Sequence, residues 1–516
     1  MLAALLVLAG CGQAPAGSTT SEATAETTTV STTEAPTSVE TSTSAPGGDD
    51  GDDTDEAPTT DTALSDPATD VLGWENGYWH NESIEVTRSD GLNESELGAV
   101  VNRSMARVEY VRGIEFERTV PVEIISRAEF RNQTRSRNTT EANRLHQNVK
   151  WEAMFMVNES ENAIRTQRSN TGAGVGGYYS PSQDRIVIVS DNETTLELNE
   201  ITLAQELFHA LQEREFNVSS YNQTTVELHN ARDGIIEGDG NYVDYRYQQR
   251  CEAEWDCLMP QSGQSGGGSG DIHLGLYQVR YQPYSDGVVF VRDRYRDGGW
   301  DAVNAVYENP PASTEQTIHP ERYPSDEPSQ ITIADRSDDR WRVLQLDHGV
   351  NYAEFGEAGL FVMFWYPSYV ESQRTGRAQN VVIPYAAHLN RTAAGSLDSL
   401  DPFDYDHPVT AGWDGDKLLP YVTDDSAATN ETGYVWKTRW DTEGDATEFR
   451  DGYVKLLEHH GAERVTDASG EGTVFRIDEG EDYADAYRVT VSGDTVTITN
   501  APTVEDLSGV RAPPSA

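Results

Sequence analysis

The chain opens on an unbroken apolar run, MLAALLVLAG at residues 1–10, and then carries almost nothing apolar until about residue 70. Beyond that point apolar positions recur with readable spacing. From Leu92 to about Arg112, through ELGAVVNRSMARVEYVRG, they recur at three and four, the period of a helix face, and the run ends near Gly113. RTVPVEIISRAEF (118–130) is a β-rich run, and EANRLHQNVKWEAMFMV (141–157) is helical again. YYSPSQDRIVIVSD (178–191) predicts a hairpin around Ser-Pro-Ser. ELNEITLAQELFHALQEREFN (197–217) and LHNARDGIIEGDGNYVDYRYQQ (228–249) predict two successive helices, the first with a broad apolar face from Ile201 to Leu211. Gly359–Tyr366 is strongly apolar but too short to span a membrane, and reads as a buried core helix. HPVTAGWDGDKLLPYV (407–422) predicts strand and turn. From Tyr434 a strand, an amphipathic helix stopped by Gly461 and three more strands follow, the last two joined by a Gly-Asp turn. His459-His460 close that helix, where positive charge is favourable.

The first apolar run is too short to cross a hydrocarbon core, which takes about 20 residues, and its length suits an export signal. Leu8-Ala9-Gly10-Cys11 resembles a lipoprotein signal-peptidase box, in which the Cys11 thiol takes the lipid. Residues 12–70, rich in Thr, Ser, Glu and Pro, cannot repay their ordering entropy and predict a disordered stalk. The acidic run DDGDDTDE (49–56) extends it by self-repulsion. These features place the protein on the extracellular face of a membrane, held by lipid through Cys11. Cys251 and Cys257, in CEAEWDC, then predict a disulfide contributing roughly 2 kcal/mol on a loop-entropy argument. N-x-S/T sequons recur from Asn81 to Asn430, as in an exported glycoprotein.

Charge narrows the partners. The 516 residues hold 87 Asp and Glu against 38 Lys and Arg, a net charge of −49. That balance excludes a nucleic-acid surface as the default and argues against docking on anionic lipid. Lys occurs only at Lys150, Lys417, Lys437 and Lys455. Acid-rich, Lys-poor composition is similar to that of extreme halophiles, where concentrated salt screens the self-repulsion.

The candidate chemistry sits on the two successive helices. Gln205 and His209 are four apart and project from one face, with Glu206 between them. Metallohydrolases use this spacing as H-E-x-x-H, two imidazoles binding zinc while the Glu polarises the metal-bound water. Here Gln205 replaces the first His. With His209-Ala210-Leu211-Gln212 followed by Glu237-Gly238-Asp239-Gly240, the chain resembles the gluzincins, metallopeptidases whose third ligand is a Glu on a following helix. Residues 283–323 resemble the helical lobe that follows that Glu helix, and the layout is similar to a family of haloarchaeal surface lipoproteins. The resemblance implies His209 and Glu237 as metal ligands, Glu206 as general base, Asp239 as a partner behind the ligands, and Tyr242, His319 or Tyr323 as oxyanion donors. Gln205, at the position of the missing ligand, leaves zinc weakly held or absent, unless Glu200 or His229 substitutes.

The expected architecture is α+β: a zincin-like domain over 71–425, with strand rim, active-site helix, Glu helix and helical lobe, then a small α+β module over 426–510. The expected function is a degraded gluzincin-like domain binding peptides or envelope partners. An active zinc metallopeptidase and a purely structural envelope protein are the alternatives.

Overall fold

A computed structural model describes residues 65–87, 91–135, 139–190, 198–259, 272–466 and 471–512. The export signal, Cys11 and the stalk up to residue 64 lie outside the described residues. The described chain is a mixed α+β fold with several sheets, as expected. No described helix is long and apolar enough to cross a membrane.

A two-stranded ribbon, β1 (Trp74–Glu75) and β2 (Tyr78–Trp79), lies against α1 (Glu94–Arg112). An Asn93 capping box starts α1, and Gly113, at φ 76°, ends it. Next come β3 (Val122–Ser126), α2 (Arg127–Arg135), α3 (Glu141–Glu152), α4 (Ala163–Gly174), β4 (Gly177–Ser180) and β5 (Arg185–Ser190). These strands form a sheet of order β3-β5-β4, with β3 parallel and β4 antiparallel to β5. The β-rich run is strand only to Ser126. Arg127 turns it into α2, which seats Phe130 with Val175 and Tyr178. The predicted helix 141–157 likewise ends at Glu152, because Ala153–Val157 turn into the core.

The helical centre follows: α5 (Glu200–Phe216), α6 (Val226–Ala253), α7 (Leu274–Glu308) and α8 (Glu315–Ile318). The long α7 breaks its helical geometry at Gly298–Gly299. Cys251 and Cys257 form the expected disulfide at the end of α6. A seven-stranded antiparallel sheet completes the fold, in the order β6-β7-β8-β12-β11-β10-β9. Its strands are β6 (Arg342–Val343), β7 (Trp413–Val422), β8 (Thr432–Trp440), β9 (Glu463–Val465), β10 (Thr473–Arg476), β11 (Ala486–Ser492) and β12 (Thr495–Ala501). The helices α9 (Gly356–Thr375), α10 (Ser426–Thr429), α11 (Glu443–His459) and α12 (Leu507–Val510) accompany it.

The largest core joins α9, α11 and this sheet to residues 149–163, with Phe364 and Trp436 both packed on Phe449. The apolar stretch 359–366 is the buried middle of α9, as predicted. The expected boundary at 425/426 falls in the link between β7 and β8, which pair with one another, so the sheet crosses it. His460 departs from its expected role. Its ring packs between Phe155 and Tyr483, and burial pushes its pKa down to about 3, so it brings no charge to the helix end.

Candidate functional site

Two caps set the position of the site. Asn199 accepts a hydrogen bond from Ile201 N to start α5, and Thr225 accepts one from Leu228 N to start α6. Sheet edge β4 and helix α6 both pack against α5. Gln205, Glu206, His209 and Glu237 are all buried in this junction. His209 Nε2 lies 3.5 Å from Glu237 Oε2, so the structure brings together the two residues expected as metal ligands, 28 positions apart in the sequence. A Cβ on Gly240 would come within 3.5 Å of His209 Nε2 and 3.7 Å of Gln205 Nε2, so both side chains end at the same bare patch of α6. Glu206 rests against Gly177 of β4. Among the described residues no side chain hydrogen-bonds to it, and burial holds its carboxyl well above the ordinary range against the pull of the Tyr179 amide.

Gln212 Nε2 donates to the Ile236 carbonyl at 2.9 Å, an oxygen that can only accept, which fixes the amide orientation. Gln212 Oε1 therefore faces His209 Nδ1 at 2.6 Å, and that nitrogen must carry the proton. Burial lowers the His209 pKa to about 4, so at neutral pH the ring is uncharged. Its Nε2 lone pair then confronts the Glu237 carboxylate. The two groups stand 3.5 Å apart, close enough to share a proton or a cation. Two donors of one tetrahedral zinc, each about 2.0–2.1 Å from the metal, stand roughly 3.3 Å apart, so the pair fits that ion. Gln205 contributes an amide where zinc prefers nitrogen or sulfur, and no third His, Cys, Asp or Glu closes on the pair among the described residues.

Asp239 stands behind His209 and Glu237, but not next to them. Arg112 grips both of its oxygens, with contacts of 2.9–3.1 Å, and Tyr307 Oη donates to Oδ2 at 2.7 Å. Tyr307 Oη also accepts from Gln212 Nε2 at 2.6 Å, so Arg112, Asp239, Tyr307 and Gln212 form one chain ending at His209. Sequence reasoning assigned no role to Arg112, Gln212 or Tyr307. Gln212 carried a signal, standing three residues after His209 on the same face. Asp244 was also missed. Two turns beyond Glu237, it interacts electrostatically with Glu237 and Glu206, and burial with the Glu237 charge raises its pKa well above normal.

The site opens into a cleft of about 580 Å³ whose lining includes His209, Glu237, Tyr179, Tyr221, His229 and Asp233. His229 Nε2 pairs with Asp233 Oδ2 at 3.2 Å. The other expected residues lie elsewhere. Glu200 is no substitute ligand: Arg103, Arg107, Tyr247 Oη and the Leu258 amide hold its carboxylate at 2.6–2.9 Å. Tyr242 packs with Tyr295 and Trp300, Tyr323 Oη donates to the Asn309 carbonyl, and His319 meets Glu357. The tyrosines at the cleft are instead Tyr179 and Tyr221, whose hydroxyls bond to Asp184 and the Tyr307 carbonyl.

One comparison bears on the chain. Residues 342–511 match DUF8575, a domain of unknown function. The DUF8575 segment starts at β6, includes α9 and the whole seven-stranded sheet, and ends just past α12. No curated protein and no solved structure matches the chain. The cleft helices α5 and α6 precede the DUF8575 segment but are tied to it, the Glu227 amide donating to the Glu354 carbonyl at 3.1 Å.

Proposed function

We propose that this protein is a lipid-anchored surface protein of a halophile whose zincin-like domain binds an extended peptide or envelope partner in the α5–α6 cleft without hydrolysing it. The observation that carries this reading is Gln205, buried one helical turn from His209 and facing the same patch of Gly240. His209 and Glu237 would hold zinc, and the ion would supply an activated water. Two such ligands and an amide hold it weakly. Around that point the chain keeps what a peptidase would use: a fixed His209 tautomer, Glu206 beneath β4, and a strand edge along an open cleft. Backbone pairing along that edge is how an extended peptide would be recognised.

Zinc binding by the full chain in molar KCl, with and without Gln205→His, tests the proposal. The wild type should bind weakly or not at all and cleave no peptide. Gln205→His completes two imidazoles and a carboxylate, and its zinc affinity should rise on the order of a hundredfold or more. Tight stoichiometric zinc at these residues in the wild type would favour the working metallopeptidase. No gain in Gln205→His would favour the purely structural reading.

A further inference from the structure

Away from the cleft, the fold gathers metal-ligating side chains at three places among the described residues. At Glu315, Asp326 and Asp441 the chain supplies its own cation, with Arg322 Nη1 at 2.6, 2.9 and 3.0 Å from one oxygen of each. At Glu152, Glu159 and Asp485 the two buried carboxyls, Glu152 and Asp485, hydrogen-bond to one another, which requires a shared proton, and Asn500 donates to Asp485 at 2.7 Å. Both clusters are accounted for within the chain.

The third cluster is different. One ligand atom each from His319, Glu357 and Asp406 lies within 4.8 Å of the others. Glu357, in the first turn of α9, has a side chain with 0% exposure. Its two oxygens both stand 3.2 Å from His319 Nε2, and among the described residues Oε2 receives no hydrogen bond. One imidazole N–H cannot satisfy both oxygens of a buried carboxylate. Asp406 brings a second negative charge rather than a donor. Among the described residues neither carboxylate has a Lys or Arg ion-pair partner, and Arg322 is committed to its own cluster.

We propose that His319, Glu357 and Asp406 form a site for a divalent cation of the zinc–manganese class. An imidazole nitrogen with two carboxylates suits those ions better than calcium or magnesium, which prefer oxygen alone. Glu357, buried and under-satisfied, is the anchor, and exposed Asp406 leaves the remaining coordination positions toward solvent. The ligands come from the end of α8, the first turn of α9 and the loop before β7. A bound ion therefore joins the DUF8575 segment, which contains Glu357 and Asp406, to the helices before it.

The test is titration of the full chain with Mn2+ alone in molar KCl, read by loss of the free-ion EPR signal and by nitrogen coupling in the bound spectrum. The expected result is one tight ion per chain, with a nitrogen coupling that survives His209→Ala and disappears in His319→Gln. Asp406→Asn, a solvent-side change that leaves the core intact, should weaken binding on the order of tenfold or more. Asp326→Asn, at the cluster already served by Arg322, should not weaken it. Absence of bound Mn2+, or equal affinity in wild type, His319→Gln and Asp406→Asn, would overturn the proposal and leave a plain imidazole–carboxylate pair. Because the readout is referred to His209→Ala, its outcome is independent of zinc at the cleft.

Discussion

Glu227 shows how a single buried side chain couples this fold to pH. It sits in the first turn of α6, where its two oxygens accept from Thr314 N at 2.6 Å and Thr314 Oγ1 at 2.8 Å. Gly356, at φ 71°, leaves it room, since a Cβ there would lie 1.5 Å from Glu227 Oε2. Burial first, with Asp416 and Glu354 adding repulsion, raises its pKa from 4.5 to about 8. Between those values the folded chain holds a proton that the unfolded chain has released. Its stabilising contribution is therefore complete below pH 4.5 and is lost as pH climbs through about 8. Glu227→Gln cannot titrate. The stability of the wild type relative to Glu227→Gln should fall from pH 5 to pH 8, by at most about 1.4 kcal/mol per pH unit. Denaturant unfolding of both proteins in molar KCl measures it. A difference that does not change with pH would mean that this carboxyl titrates alike in the folded and unfolded chain.

Among the elements, the α6–α7 crossing decides where Glu237 stands. A Cβ on Gly238 would come 2.3 Å from the Gly287 carbonyl, and one on Gly287 would come 2.6 Å from the Gly234 carbonyl. The two helices thus touch backbone to backbone, a closeness that only glycine permits. In Glu237-Gly238-Asp239-Gly240 the first glycine serves this packing and the second makes space for His209. The same four residues look outward to α7 and inward to α5. Gly238→Ala should push the helices apart and cost about 1–3 kcal/mol. It should also blunt the gain of zinc when combined with Gln205→His, because Glu237 moves with its helix. Thermal unfolding and zinc titration of the double variant report the two effects separately. Unchanged stability would show that the crossing yields without cost.

For the whole molecule the dominant quantity is charge. With 87 acidic groups against 38 basic ones, the fold repels itself unless counter-ions screen it. Its buried Arg103 and Arg107 are matched to Glu200, and Arg112 to Asp239, so these three arginines are spent on structure. Dialysis from molar to low salt should unfold the chain, seen as loss of near-UV ellipticity. An unchanged spectrum would remove the halophile reading.

Local pattern was enough for most elements, because apolar spacing, caps and glycine stops act within one turn or one strand. It predicted α1, the β4–β5 hairpin, α5, α6, the core of α9 and four of the five strands from Tyr434 on, but not the short β9. It also placed Gln205, Glu206 and His209 on one helix, since a spacing of four is a property of the helix itself. It could not settle where β3 gives way to α2, or that Ala153–Val157 leave the helix, because distant packing decides both. Nor could it exclude Glu200, only five residues before Gln205: its carboxylate is taken by Arg103 and Arg107 on α1 and by Tyr247 far along α6. The link from His209 through Gln212 and Tyr307 to Asp239, and the meeting of His319 with Glu357 and Asp406, join residues far apart in the chain. Side-chain chemistry can be read from sequence, but which groups share one buried volume, and which acceptor is left without a donor, is decided only when the helices cross.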